Sequence, residues 1–154
     1  MRRRLAAALL CVLAWPAGAQ HSCSFSNVGG TLVDFGLYNA LQGDHDATGT
    51  IEFTCLPDLL IGLTVPYTVS ISPGTGSGGS FSPRQLVFGG DALNYNLYSD
   101  LLRTVVWGDG TLGTGTVSGQ CVGACSVLVF GRIFGGQTGA AGAYSDSVVV
   151  TIDF

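Results

Sequence analysis

Lysine is absent from the 154 residues, and all six basic residues are arginines. Arg2, Arg3 and Arg4 crowd the start, while Arg84, Arg103 and Arg132 stand far apart. Nucleic-acid binding needs clustered positive charge, so that class is excluded. Attachment to anionic membrane surfaces fails for the same reason. Glutamate occurs once, as Glu52. A paired-carboxylate glycosidase would therefore have to draw on aspartates, and nothing marks such a pair. The two histidines, His21 and His45, do not have the spacing to complete a zinc site with Cys121-x3-Cys125. No serine lies in G-x-S-x-G. Beyond residue 19 no stretch repeats apolar positions at helical spacing. No catalytic role, cofactor or metal is expected.

The opening of the chain reads as a signal peptide. Arg2, Arg3 and Arg4 form a basic start, residues 5–15 form an apolar stretch, and Ala17-Gly18-Ala19 is an A-x-A cleavage site. The apolar stretch falls short of the ~20 residues that span a bilayer. Cys11 lies inside it and Leu10 before it is not small, which argues against a lipoprotein. The mature chain is expected to begin at Gln20 and to insert in no membrane. Removing nineteen of 154 residues leaves 135, with three basic against ten acidic residues and a net charge of −7. That length supports one domain, residues 20–154, with a real core.

Four cysteines remain: Cys23, Cys55, Cys121 and Cys125. An even count in an exported chain reads as disulfides. Three pairings are open, and Cys23–Cys55 with Cys121–Cys125 is the favoured one. Closing the first loop would contribute ~3.5–4 kcal/mol, the second only ~2 kcal/mol.

Short alternating runs fill the rest. They fall at 23–28 with 32–35, 49–55, 67–72, 85–88, 93–98, 104–107, 114–118, 126–134 and 144–154. Gly29-Gly30 would break the first, and Gly108-Asp109-Gly110 marks a hairpin turn. Residues 39–48 read as a polar turn. Seven to nine such strands, with abundant Gly, Ser, Thr and Val, predict an all-β sandwich. The last run is the most regular. Val148, Val150, Ile152 and Phe154 share one face; Ser147, Val149, Thr151 and Asp153 share the other. With the terminal carboxylate directly on it, this strand is either paired in the sheet or open to a partner's strand.

Several sharper readings yield to plainer ones. Gly74-Thr-Gly-Ser-Gly-Gly79 lacks the following helix that a phosphate site needs, so it is a loop. Gly43-Asp-His-Asp46 is a poor ligand set and reads as a solvated turn. Trp107, with Asp100 and Asp109 near it in sequence, could stack on a sugar or sit in the core. Arg132 and Asp146 are candidates for a cross-strand pair.

An ordered set of motifs spans the mature chain. They are Phe35-Gly36-Leu37-Tyr38, Asp46-Ala-Thr-Gly-Thr50 running on to Cys55, and Leu93-Asn-Tyr-Asn-Leu-Tyr98. Val106-Trp-Gly-Asp-Gly110, Gly131-Arg132-Ile133 and Gly142-Ala-Tyr-Ser-Asp146 follow, with the final strand. In this order they resemble the spore coat protein U family, the domain of secreted pilins from archaic chaperone–usher systems. The resemblance implies an immunoglobulin-like β-sandwich, incomplete by one strand. It implies a periplasmic chaperone that lends a strand and grips the terminal carboxylate, an usher, and neighbouring pilus or coat subunits. It makes Val148, Val150, Ile152 and Phe154 the chaperone and donor-strand interface. Donating subunits of this kind carry an alternating apolar extension ahead of the first cysteine; here only Gln20, His21 and Ser22 would precede Cys23. A subunit that accepts a strand without donating one, at a tip or in a coat, is therefore expected. The alternative is a stand-alone carbohydrate-binding or coat module with a complete sandwich. A surface or sugar ligand fits either.

Overall fold

The computed structural model describes residues 21–26, 30–57 and 64–154. The expected signal peptide, 1–19, and the glycine break at Gly29 lie outside the described residues. Eight strands and no helix occur among those described. They are β1 (Ser22–Phe25), β2 (His45–Leu56), β3 (Val65–Ile71), β4 (Arg84–Phe88), β5 (Asp91–Tyr98), β6 (Val117–Cys121), β7 (Gly123–Ile133) and β8 (Val150–Asp153).

The strands form an immunoglobulin-like sandwich. One sheet has five strands in the order β1-β2-β7-β5-β4; the other has three, β6-β3-β8. Alternation places the core between them. Ile51, Phe53 and Cys55 of β2 point inward, with Val129 and Ile133 of β7 and Leu93, Tyr95 and Leu97 of β5. Val65, Val69 and Ile71 of β3 face them from the smaller sheet.

β2 begins at His45, earlier than the alternation predicts, and residues 45–48 are strand rather than turn. The reason is a pair of charges on the solvent face. Asp46 stands opposite Arg132 of β7 in the antiparallel register, and the guanidinium grips its carboxylate in a fork, Nε–Oδ1 2.7 Å and Nη2–Oδ2 2.9 Å. Asp44 adds a contact to Arg132 at 3.3 Å, and Arg103 one to Asp46 at 3.3 Å. Arg132 therefore pairs with Asp46, not with Asp146. The hydrogen bond from Arg132, with the fields of Arg103 and Arg132, holds the Asp46 carboxyl below its usual range.

Residues 104–107 make only isolated bridges, Tyr98↔Val106 and Trp107↔Gly115. Trp107 is fully buried and its indole N–H donates to the Val69 carbonyl at 3.0 Å. It closes the core and presents no stacking surface to a sugar. Arg84, also fully buried, lies beside it. Its guanidinium donates to the carbonyls of Trp107 (2.7 Å) and Ser72 (2.9 Å) and lies over the Phe81 ring. Burial pulls its pKa down.

Cys23 bonds to Cys55 directly across β1 and β2. Cys121 bonds to Cys125 across the turn between β6 and β7, linking the two sheets.

Two measurements follow from these links. Cys55→Ser is expected to lower export yield more than Cys125→Ser, since the first bond closes a 32-residue separation and the second only 4. Equal losses would contradict the loop-length account. The Asp46 cluster contributes stability that is fully present above the unfolded carboxyl value, about 3.9, and is lost as pH falls through the lower folded value. The melting temperature of the wild type should drop below about pH 4, and Asp46→Asn should flatten that drop. An unchanged acid profile in the variant would remove Asp46 as its source.

Candidate functional site: an open groove along the sandwich

The smaller sheet ends at β8. One edge of β8 pairs with β3, from Thr68↔Asp153 to Ile71↔Val150. The chain leading into it, 143–149, continues along the same side. Ser72 N–H donates to the Val149 carbonyl, Thr75 N–H to that of Ser147, and Val87 and Ser145 exchange both bonds. Within 143–149 these contacts all use odd-numbered residues: 145, 147 and 149. Strand alternation turns the amides and carbonyls of Tyr144, Asp146 and Val148 to the opposite edge. There they meet no backbone partner among the described residues.

A groove of about 1270 Å³ opens beside this edge. Its near wall is 139–150 and its far wall is 30–38. Its floor is the core itself: Ile51, Leu93, Tyr95, Leu97 and Ile133. The far wall belongs to no ladder. Residues 32–35, expected as strand, make no backbone–backbone hydrogen bond among the described residues.

Side chains hold the far wall in place. Leu32, Val33, Phe35 and Tyr38 pack on the core, and the Phe35 ring meets Tyr95 edge-on at 5.9 Å. The wall can lie this close because β2 and β7 carry glycine beneath it. A Cβ at Gly49 would strike the Leu32 carbonyl, and one at Gly131 would press on the Phe35 ring at 2.6 Å. His45 Nε2 sits 2.5 Å from the Phe35 carbonyl; a carbonyl only accepts, so this nitrogen carries the hydrogen. The Tyr38 hydroxyl lies 3.1 Å from the Phe134 carbonyl and accepts the Gln137 N–H at 2.9 Å. Asp44, His45 and Asp46 thus diverge, the acids to Arg132 and the imidazole to Phe35. They neither form a solvated turn nor converge on a metal.

Of the residues picked out from the sequence, Val148 and Val150 line the groove. Ile152 is half-buried against the core beside Val69. Phe154 is 53% exposed and does not line it. Sequence reasoning missed the far wall and its fasteners, His45, Tyr38 and Gln137. The inward pattern Leu32, Val33, Phe35 was the available signal.

A groove with a free main-chain edge along one side and an apolar floor has the shape of a vacant strand position. The profile of the Spore Coat Protein U domain matches residues 7–151. The chain belongs to the spore coat protein U domain family. Protein U of Myxococcus xanthus is 34% identical over 142 residues, covering 86% of this chain and 78% of that protein. Among solved structures, a chain from the CsuC–CsuE chaperone–tip adhesion subunit pre-assembly complex of the archaic chaperone–usher Csu pili of Acinetobacter baumannii is similar in fold. Its TM-score is 0.58 at 19% identity, over 88% of this chain. This chain spans 40% of the length of that one. No helix among the described residues is long and apolar enough to cross a membrane.

Proposed function

We propose that this member of the spore coat protein U domain family is an exported structural subunit of a surface pilus or coat, assembled by accepting a strand into the groove. The observation that carries the reading is the free edge at Tyr144, Asp146 and Val148 facing the unpaired 30–38 segment across a floor of core side chains. An extended peptide is the ligand that satisfies such a slot. Its main chain pairs with the walls and its alternate side chains enter the floor. Each apolar side chain buried adds roughly 1.5–3 kcal/mol, so a few suffice for slow dissociation.

In this reading a periplasmic chaperone supplies the strand during export, an usher exchanges it, and a neighbouring subunit fills the groove at the surface. Val148 and Val150 form the near side of the contact, with Ile152 and Phe154 continuing the strand toward the chaperone. The similarity to a chain of a chaperone–subunit complex in A. baumannii supports a chaperone and pilus subunits as partners. A non-donating, adhesive place at a tip follows if processing after Ala19 leaves Gln20, His21 and Ser22 ahead of Cys23. N-terminal sequencing of the exported protein tests that premise. The rival, a self-sufficient sugar-binding module, has to leave a core-floored groove empty.

The deciding experiment is size-exclusion chromatography with mass determination on the chain exported alone. It is repeated with a nine-residue peptide alternating valine and threonine, capped by lysine at both ends. An unstable or multimeric chain that the peptide converts to a heat-resistant monomer is expected. A stable monomer indifferent to the peptide would overturn strand acceptance in favour of a complete sandwich. Removal of residues 152–154 is expected to abolish capture by a co-expressed chaperone, and undiminished recovery of that complex would count against the β8 contact.

A further inference from the structure

The two walls of the groove are built differently. The far wall, 30–38, rests on side-chain contacts. The near wall has main-chain bonds to Val87 at Ser145 and to Thr75 at Ser147, and side chains pin it to the 72–76 stretch at two further points. At Val149 the pin is Ser72, whose N–H donates to the Val149 carbonyl (2.8 Å) and whose Oγ accepts the Val149 N–H (2.8 Å). The Ser72 carbonyl is in turn held by the buried Arg84 guanidinium.

The second pin is Asp146, the one charged residue between 143 and 150. Its Oδ1 accepts the amides of Thr75 (2.8 Å), Gly76 (2.9 Å) and Ser147 (2.8 Å), with the Thr75 hydroxyl at 3.1 Å. Its Oδ2 accepts the hydroxyl of Tyr95 at 2.8 Å. Tyr95 is 3% exposed and belongs to the groove floor. The loop reaches the carboxylate because Gly74, at φ 90°, has no Cβ to collide with it. One carboxylate therefore joins wall, loop and floor. Carboxylate hydrogen bonds of this kind are the strong ones.

We infer that Asp146 is the positioning residue for strand acceptance: it fixes the near wall to the floor and to the 74–76 loop, so that the free main-chain groups at 144, 146 and 148 are aligned before a strand arrives. The inference rests on the strand-acceptor reading. Pre-alignment lowers the ordering cost of binding, so its loss appears in the rate of capture.

The test measures uptake of the same valine–threonine peptide, fluorescently labelled, by polarisation over a concentration series. Hydrogen exchange is followed in parallel. Asp146→Ala is expected to slow capture about tenfold and to speed exchange at 144–149, with the β2 and β7 amides unchanged. Asp146→Asn, whose Oδ1 still accepts the three amides, is expected within about threefold of wild type. Capture by Asp146→Ala at the wild-type rate overturns the assignment, as does exchange rising equally in every strand. Should that variant fail to fold, Tyr95→Phe removes only the link to the floor. Slower capture at an unchanged melting temperature supports the assignment, and a wild-type rate overturns it. A wild type that takes up no peptide removes the strand-acceptor reading, and this assignment falls with it. Uptake by wild type and Asp146→Ala at one rate removes this assignment alone.

Discussion

The smaller sheet is too narrow for the larger one. Five strands present an inward apolar face, and three strands lie over it. In a sandwich each sheet buries the other, so the mismatch leaves part of one face without a cover. Ile51, Tyr95, Leu97 and Ile133 serve at once as core and as groove floor for this reason. The molecule's other features are responses to that deficit. The far wall has to lean on the sheet through side chains, and the near wall has to be held in line without a partner on its free edge.

Apolar packing cannot hold a groove open, because it favours collapse of the walls onto the floor. Directional bonds resist it. Two sets of donors and acceptors stand behind the near wall: Arg84 with the carbonyls of Ser72 and Trp107, and Tyr95 with Asp146. Burial pushes the Tyr95 hydroxyl pKa strongly up, and its hydrogen bond to Asp146 pushes the same way, so it stays a donor at any working pH. Arg84 lies among carbonyls and one aromatic ring, with no carboxylate of the described residues in hydrogen-bond contact. Each such bond contributes modestly, about 1–3 kcal/mol if a partner is lost. Their geometry is what matters here, since it fixes the wall relative to the floor.

Alternation made most of the strands legible in the sequence. Ile51, Phe53 and Cys55, and Leu93, Tyr95 and Leu97, read as inward faces and are inward. The alternation of 148–152 is also seen, with Val148, Val150 and Ile152 half-buried and Val149 exposed. What alternation could not reveal was pairing without apolar contrast. His45, Asp46 and Thr48 look like a turn because they are polar, yet Arg132 across the ladder makes them strand. The reverse error occurs at 32–35, which reads as strand in the sequence but makes no backbone–backbone hydrogen bond among the described residues. Arg84 was invisible for a third reason. A lone arginine in a sequence reads as surface, and only the carbonyls of Ser72, Phe81 and Trp107, brought from three places, make its burial tolerable.

The free edge is also unguarded. Proteins that keep an exposed strand edge blunt it with lysine, proline, bulges or inward charges. The chain has no lysine, and residues 143–152 contain no proline. Their one charge, Asp146, is spent on Thr75, Gly76, Ser147 and Tyr95 rather than displayed along the edge. The outward residues Ser145, Ser147, Val149 and Thr151 are small, uncharged and at home in a strand. An edge of this composition carries no guard against pairing with another extended chain. It suits a chain whose edge is covered from export onward, and it would be a liability in a module meant to stand alone.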